Sequence, residues 1–253
     1  MRRIIIYWVV LFGLFANATS LVAEERWEAA AAAYQEGDWQ AALDQYLALQ
    51  QAGYASAALD YNIGNCYYKI GGYLGKSILY YERALLQDPA FEDASFNLAM
   101  AQRQTVDQIE QIPEIYLVAL LHSIREKLSA DAWAWCALLL FAMTLLALLL
   151  FRYGNSRKLR KFAFAMMLVF LLLSIISGAF GLTAKEALLS DDAAVVTVPV
   201  SSVKSSPSAT GNNLFVLHEG TKVEVLEDLG NWMRIELSDG RQGWIQKQEA
   251  EII

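Results

Sequence analysis

Charged residues are absent from three stretches of the chain, 4–23, 132–151 and 162–184. At about 1.5 Å of rise per residue, the second and third are each long enough as helices to cross a hydrocarbon layer about 30 Å thick. Both are predicted membrane spans. The first differs, because Arg2 and Arg3 precede an apolar run from Ile4 to Phe15, and small or polar residues follow, including Ala16-Asn17-Ala18 and Leu21-Val22-Ala23. That layout predicts an export signal over residues 1–23, either cleaved after Ala18 or Ala23 or retained as an anchor. Elsewhere the apolar period separates two kinds of structure. Residues 24–106 carry apolar positions at helical spacing. Residues 113–131 predict an amphipathic helix through Ile115, Val118, Leu121, Ile124 and Leu128. It either lies on the membrane surface or packs back on the helices before it.

Past the second span and a short acidic tether, the period becomes two. Val223 and Val225 alternate with Lys222 and Glu224, and Met233, Ile235 and Leu237 with Trp232, Arg234 and Glu236. Asp239-Gly240 then supplies a hairpin turn. With a strand over 194–200 ahead and Gly243-Trp244-Ile245 behind, residues 193–253 predict about five strands in one small barrel. His218-Glu219-Gly220-Thr221-Lys222-Val223 and Gly243-Trp244-Ile245 resemble a bacterial SH3 domain. The resemblance implies a binding module, often for cell-wall peptides.

The helical region repeats itself at a period of 34 to 35 residues. Gly37 returns as Gly71 and Trp39 as Tyr73, while Ala42, Leu43 and Tyr46 return as Ser77, Ile78 and Tyr81. Asn62-Ile63-Gly64-Asn65-Cys66-Tyr67-Tyr68, followed by Gly71, Tyr73, Ser77, Tyr81, Ala84 and Pro89, resembles the tetratricopeptide repeat (TPR). Asn97 and Leu98 begin an incomplete third unit expected to act as a cap. In that pattern the first helix of each unit lines a groove. Its positions here include Tyr34, Tyr61, Asn65, Tyr68, Lys69, Met100, Arg103 and Gln104. Asn65 matches the position that bonds a ligand backbone, and Lys69 with Arg103 suit a ligand carboxylate. The competing reading is that Tyr61 and Tyr68 only pack and the cations answer nearby acids. In the barrel, Trp232 falls on the outward phase and either meets a ligand or is covered by a loop over 201–213. Trp244 either joins that aromatic face or plugs one barrel end.

Charge decides placement. The chain has 20 Lys and Arg against 27 Asp and Glu, a net charge of −7, which leaves no basic surface for nucleic acid. Every acid lies in two blocks, 24–131 and 185–253. Arg152, Arg157, Lys158, Arg160 and Lys161 crowd the connector 152–161, and basic connectors stay cytoplasmic. Both acidic blocks are therefore expected on the far side of a bacterial inner membrane, in the periplasm. The spans hold no ionisable acid or base for a proton or ion path. Ser174 with Gly178 and Ser177 with Gly181 predict a close helix approach.

Catalytic chemistry is thin. Gly71-Gly72-Tyr73-Leu74-Gly75-Lys76-Ser77 resembles a phosphate loop but fails its spacing, since Ile70 stands where the first glycine belongs. The two histidines, His122 and His218, and the exported Cys66 form no recognisable nucleophile and base pair, and no metal-ligand spacing occurs. No enzyme, metal or cofactor is expected.

The order of parts predicts a multi-domain membrane protein: an all-α TPR solenoid, two transmembrane helices and a small all-β SH3-like barrel. Together with the stretches from Gly75 to Leu85 and from Leu214 to Val223, it resembles the E component of the Bacteroides aerotolerance (Bat) family. The resemblance implies an envelope complex containing von Willebrand A-domain membrane proteins and a MoxR-type ATPase. Two functions follow as expectations. One is a membrane-tethered protein-protein interaction scaffold. The alternative is a cell-wall-binding envelope sensor whose SH3-like domain takes peptidoglycan.

Overall fold

The computed structural model describes residues 23–109 and 116–253. The predicted export signal, apart from Ala23, lies outside the described residues, as do Pro113, Glu114 and Ile115 at the start of the predicted amphipathic helix.

Five helices form the N-terminal part: α1 over 23–36, α2 over Trp39–Gln51, α3 over Ala57–Ile70, α4 over Leu74–Gln87 and α5 over Glu92–Gln102. Local chemistry sets their ends. The Asp38 carboxylate accepts from the amide of Ala41 at the start of α2, and the Ser56 hydroxyl accepts from that of Leu59 at the start of α3. Each leaves one fewer unbonded N–H in a first turn. Helix α4 stops at Gln87, two residues before Pro89, which lacks the N–H a further turn would need. With linkers this short each helix folds back on the one before, α3 most extensively on α4. Leu43, Tyr46, Leu49, Leu59, Ile63 and Cys66 are buried between α1, α2 and α3. A second cluster holds Ile78, Leu79 and Tyr81 of α4 with Leu98 and Ala101 of α5.

Helix α6 spans Tyr116–Arg125, α7 Ala130–Tyr153 and α8 Arg157–Leu189. Both α7 and α8 are long and apolar enough to cross a membrane. The connector expected over 152–161 is almost entirely helical, and only 154–156 turn the chain. Ser156 caps α8 through the amide of Leu159, and the Arg160 side chain donates to the Gly154 carbonyl, so the basic residues sit on helix ends. The two helices lie against each other along small residues. Ser174 Oγ donates to the Ala137 carbonyl and Ser177 Oγ to that of Trp133, both at 2.9 Å, and Trp133 meets Phe180 edge-on. Gly181 belongs to this seam, where an added Cβ would stand 3.4 Å from Trp133 Cβ. Gly178, expected in the same contact, faces open space. The helix rotates its residues by 100° each, so 174, 177 and 181 share a stripe that 178 leaves.

The acidic tether between α8 and the C-terminal sheet is only Ser190, Asp191 and Asp192, because α8 continues to Leu189. Seven strands appear where about five were expected: β1 Ala193–Val196, β2 Val200–Lys204, β3 Asn213–His218, β4 Lys222–Leu229, β5 Trp232–Glu236, β6 Gln242–Gln246 and β7 Ala250–Ile252. The predicted strand over 194–200 is two strands, broken just before Val200 by Pro199, which cannot donate to a ladder. The loop predicted over 201–213 begins with β2. Every pairing is antiparallel, in the order β3-β2-β6-β5-β4-β1-β7. One apolar cluster draws residues from all seven strands, including Leu217 of β3 and Ala250 of β7 at opposite edges, so the sheet curls around its core.

Candidate functional site

The sheet is docked on the helices. Strand β1 shows how, because its side chains alternate between two cores: Ala194 and Val196 face the interior of the sheet, while Val195 enters the cluster of Ile78, Leu79, Tyr81, Leu98 and Ala101. Two glycines allow the approach. A Cβ on Gly75 would stand 2.6 Å from the Val196 carbonyl oxygen. One on Gly220, whose φ is +87°, would stand 2.7 Å from both Ile78 Cδ1 and Thr105 Cγ2.

Polar contacts ring that apolar centre. Lys222 Nζ meets Glu82 at 2.8 Å, Lys76 pairs with Glu251, and Arg83 donates to the Ile252 carbonyl. The chain leaving α5 adds a strap. Asp107 accepts from the His218 amide (2.7 Å) and the Thr221 hydroxyl (2.7 Å) and lies 2.9 Å from His218 Nδ1, while Ile109 packs against the sheet's core. Burial alone would raise the Asp107 pKa. The His218 amide, its ring and the Thr221 hydroxyl outweigh that and hold the carboxyl below its ordinary range. The stretch that resembles a phosphate loop belongs to this seam: the Gly75 amide donates to Glu219 and the Lys76 ammonium answers Glu251. Residues before α7 and after α8 thus touch directly, so both parts of the head lie at one end of the α7–α8 pair.

Among the residues predicted to line a helical groove, the structure brings several together. The Asn65 side-chain oxygen accepts from Tyr81 (2.7 Å) and from Asn97 of α5 (2.8 Å), and Asn97 also donates to the Tyr61 hydroxyl. Tyr61 packs on Phe91 with centroids 4.9 Å apart. Gln104 donates to the Tyr68 hydroxyl. Tyr34 of α1 lies close enough to Tyr61 and Cys66 to feel both, and with burial as the main cause its pKa is raised. The Asn65 oxygen is therefore committed to the fold, and its amide group is the part left for a ligand. Lys69 and Arg103 are exposed at the ends of α3 and α5, where a cation also meets the negative pole of its helix. Cys66 is buried and its thiol is pushed up to about 12, which keeps it protonated at neutral pH.

Sequence reasoning missed Phe96. It is 66% exposed on α5, one turn before the exposed Met100, and the two add an apolar stripe beside the tyrosine seam. Their i, i+4 spacing was the available signal, but nothing in the sequence says which face of a terminal helix remains uncovered.

On the sheet, Trp232, Arg234 and Glu236 are partly exposed and alternate with buried Met233 and Ile235. Trp244 shares the outward phase of β6 with exposed neighbours, so it does not plug the interior. Trp232 pairs with Gln246, and Trp244 with Arg234 on one side and Lys204 on the other. Two indoles and two cations therefore occupy one face across β2, β6 and β5. Across the strands Trp232 neighbours Leu229 and Gln246. Gln242 accepts from Arg234 and donates to Glu236, which steadies the guanidinium beside Gln242.

Residues 199–250 match the family model of the bacterial SH3 domain. No curated protein matches the chain. The matched segment of this SH3 module runs from just before β2 to the first residue of β7. It leaves out β1 and residues 251–253, which supply Val195, Glu251 and Ile252 to the docking seam. The aromatic face lies wholly inside the match.

Proposed function

We propose that the protein is a membrane-tethered protein-protein interaction scaffold of the bacterial envelope, working by binding and not by catalysis. One observation carries this reading. Docking uses α4, α5, β1, the turn at Gly220 and β7, and it leaves the tyrosine seam of α3 and α5, whose Tyr61 and Tyr68 pack against the docking cluster, and the tryptophan face of the SH3 module partly exposed on a single head. Two weak sites held at a fixed separation raise each other's effective concentration, so neither needs high affinity alone. The helix pairs support reading the first part as a short TPR array whose ligand is an extended peptide. Tyr34, Tyr61, Tyr68 and Phe96 would grip its apolar side chains, and Lys69 and Arg103 its carboxylates. On the tryptophan face, Arg234 and Lys204 on either side of Trp244 suit an anionic peptide.

The basic turn at Arg152, Arg157, Lys158, Arg160 and Lys161 supports a cytoplasmic position for the tip of the hairpin and a periplasmic one for the head. The Bat resemblance points to von Willebrand A-domain proteins as partners of the head and a MoxR-type ATPase at the tip. A second reading, peptidoglycan binding by the SH3 module, is favoured by the family match itself.

Photocrosslinkers placed at Tyr68 and Trp232 in intact cells test both. The scaffold predicts defined protein adducts at each site, with the Tyr68 adduct lost on joint Lys69→Ala and Arg103→Ala substitution. Adducts to wall fragments at Trp232 alone, with none at Tyr68, would select the peptidoglycan reading.

A further inference from the structure

We infer that α6 lies in the headgroup layer of the bilayer, with Leu120, Leu121 and Ile124 turned into the lipid. This goes beyond the scaffold reading and rests only on its membrane-tethered part, the reading of α7 and α8 as spans. Ten residues are fewer than the roughly 12–15 an isolated helix needs to hold itself together in water. No described side chain of α6 is buried, and Tyr116, Val118, Leu120, Leu121 and Ile124 are 37 to 82% exposed. Such a helix needs an apolar medium on one side. At about 100° of rotation per residue, Leu120, Leu121 and Ile124 share one side and Ala119 and His122 the other, with Ser123 about 160° from Leu121, which gives that medium a definite face.

The occupant follows from continuity with the spans. Ser129, four residues beyond Arg125, caps α7, and the Trp133 indole N–H in the first turn of α7 donates to the Arg125 carbonyl at 2.9 Å. The end of α6 is thus tied to the level at which α7 enters the bilayer. Trp135, 67% exposed, stands at that level too, where an amphipathic ring favours the boundary between lipid and water. Arg125 and Lys127 are placed to meet lipid phosphates, as expected of a helix lying in the interface plane. The strap bearing Asp107 and Ile109 precedes α6 in the chain, so the seated helix also limits how far the head can rise from the membrane.

The test uses the full chain in nanodiscs of phosphatidylethanolamine and phosphatidylglycerol, with Cys136→Ala; Cys66 is fully buried and stays unlabelled. A fluorophore is attached at Leu121→Cys or, separately, at Ser123→Cys, about 160° apart around the helix. Nitroxide-bearing lipid is expected to quench the Leu121 label several-fold more than the Ser123 label, and aqueous iodide to show the reverse order. Equal iodide quenching at both positions would place α6 in water and overturn the inference. So would protection of the Leu121 label from both quenchers, which would mean that protein covers the face, a second copy being identified if the protection falls on dilution into excess lipid.

Discussion

Two seams hold this molecule together, one between α4 and the SH3 module and one between α7 and α8, and both rely on small residues to let backbones approach. Different forces close them. At the first, water is displaced from Val195, Ile78 and Leu79, so apolar burial drives docking and the glycines only make room for it. At the second, with α7 and α8 read as membrane spans, the surrounding lipid would be as apolar as the side chains it replaces. Contact then rests on van der Waals fit and on serine hydroxyls donated to carbonyls of the partner helix. A small residue in water therefore matters through what it admits, and one in lipid through what it bonds.

The contrast is broken most severely at Val195. Val195→Asp would bury a carboxylate without a partner and is expected to cost more than about 3 kcal/mol. Calorimetry of the detergent-solubilised chain should then separate one joint transition of the head into two, and an unchanged single transition would contradict the docking.

Gly75→Ala sharpens the point, because alanine favours a helix by up to about 1 kcal/mol over glycine, yet here its Cβ would meet the Val196 carbonyl. Overpacking of this kind costs about 1–3 kcal/mol, so α4 should persist while docking weakens. Calorimetry with circular dichroism reports it, helix content being kept while the transition of the docked head moves to lower temperature.

Asp107→Asn should cost about 1–2 kcal/mol through weakened bonds to His218 and Thr221. The sign with pH follows from the depressed pKa. Stability contributed by the carboxylate is complete above its unfolded value of about 4 and is lost as pH falls through the lower folded value. Thermal melts across that acid window should slope for the parent and less for Asp107→Asn.

The smallest effect is expected in the hairpin, where Ser174→Ala and Ser177→Ala should each cost about 0.6 kcal/mol. Unfolding in mixed micelles measures this. A loss of several kcal/mol per serine would mean that the lipid seam is held like a buried polar core.

Much of this was legible in the chain and some was not, for reasons specific to the residues. The period-two stretch from Met233 to Leu237 placed Trp232 outward, because alternation is a property of the strand alone. It did not say that Trp244 of a neighbouring strand shares the face, since that depends on the register of β5 against β6. Pro199 could have divided the first strand, but a residue without an N–H is compatible with an edge strand as well as with a break. Gly178 and Gly181 look alike in sequence, and only the rotation of α8 against α7 separates them.

Sequence alone determined the helices, the candidate spans and the strands of clear alternation, Lys222 to Leu237, because apolar period, uncharged length and turn residues act over a few positions and need no partner. It also set the charge pattern from which orientation is read. Tertiary structure decided that Gly75, Lys76 and Arg83 meet the C-terminal module, and that Val195 leaves its own sheet for another core. Those contacts join residues more than a hundred positions apart, and nothing local distinguishes a side chain that closes such a seam from one that faces water.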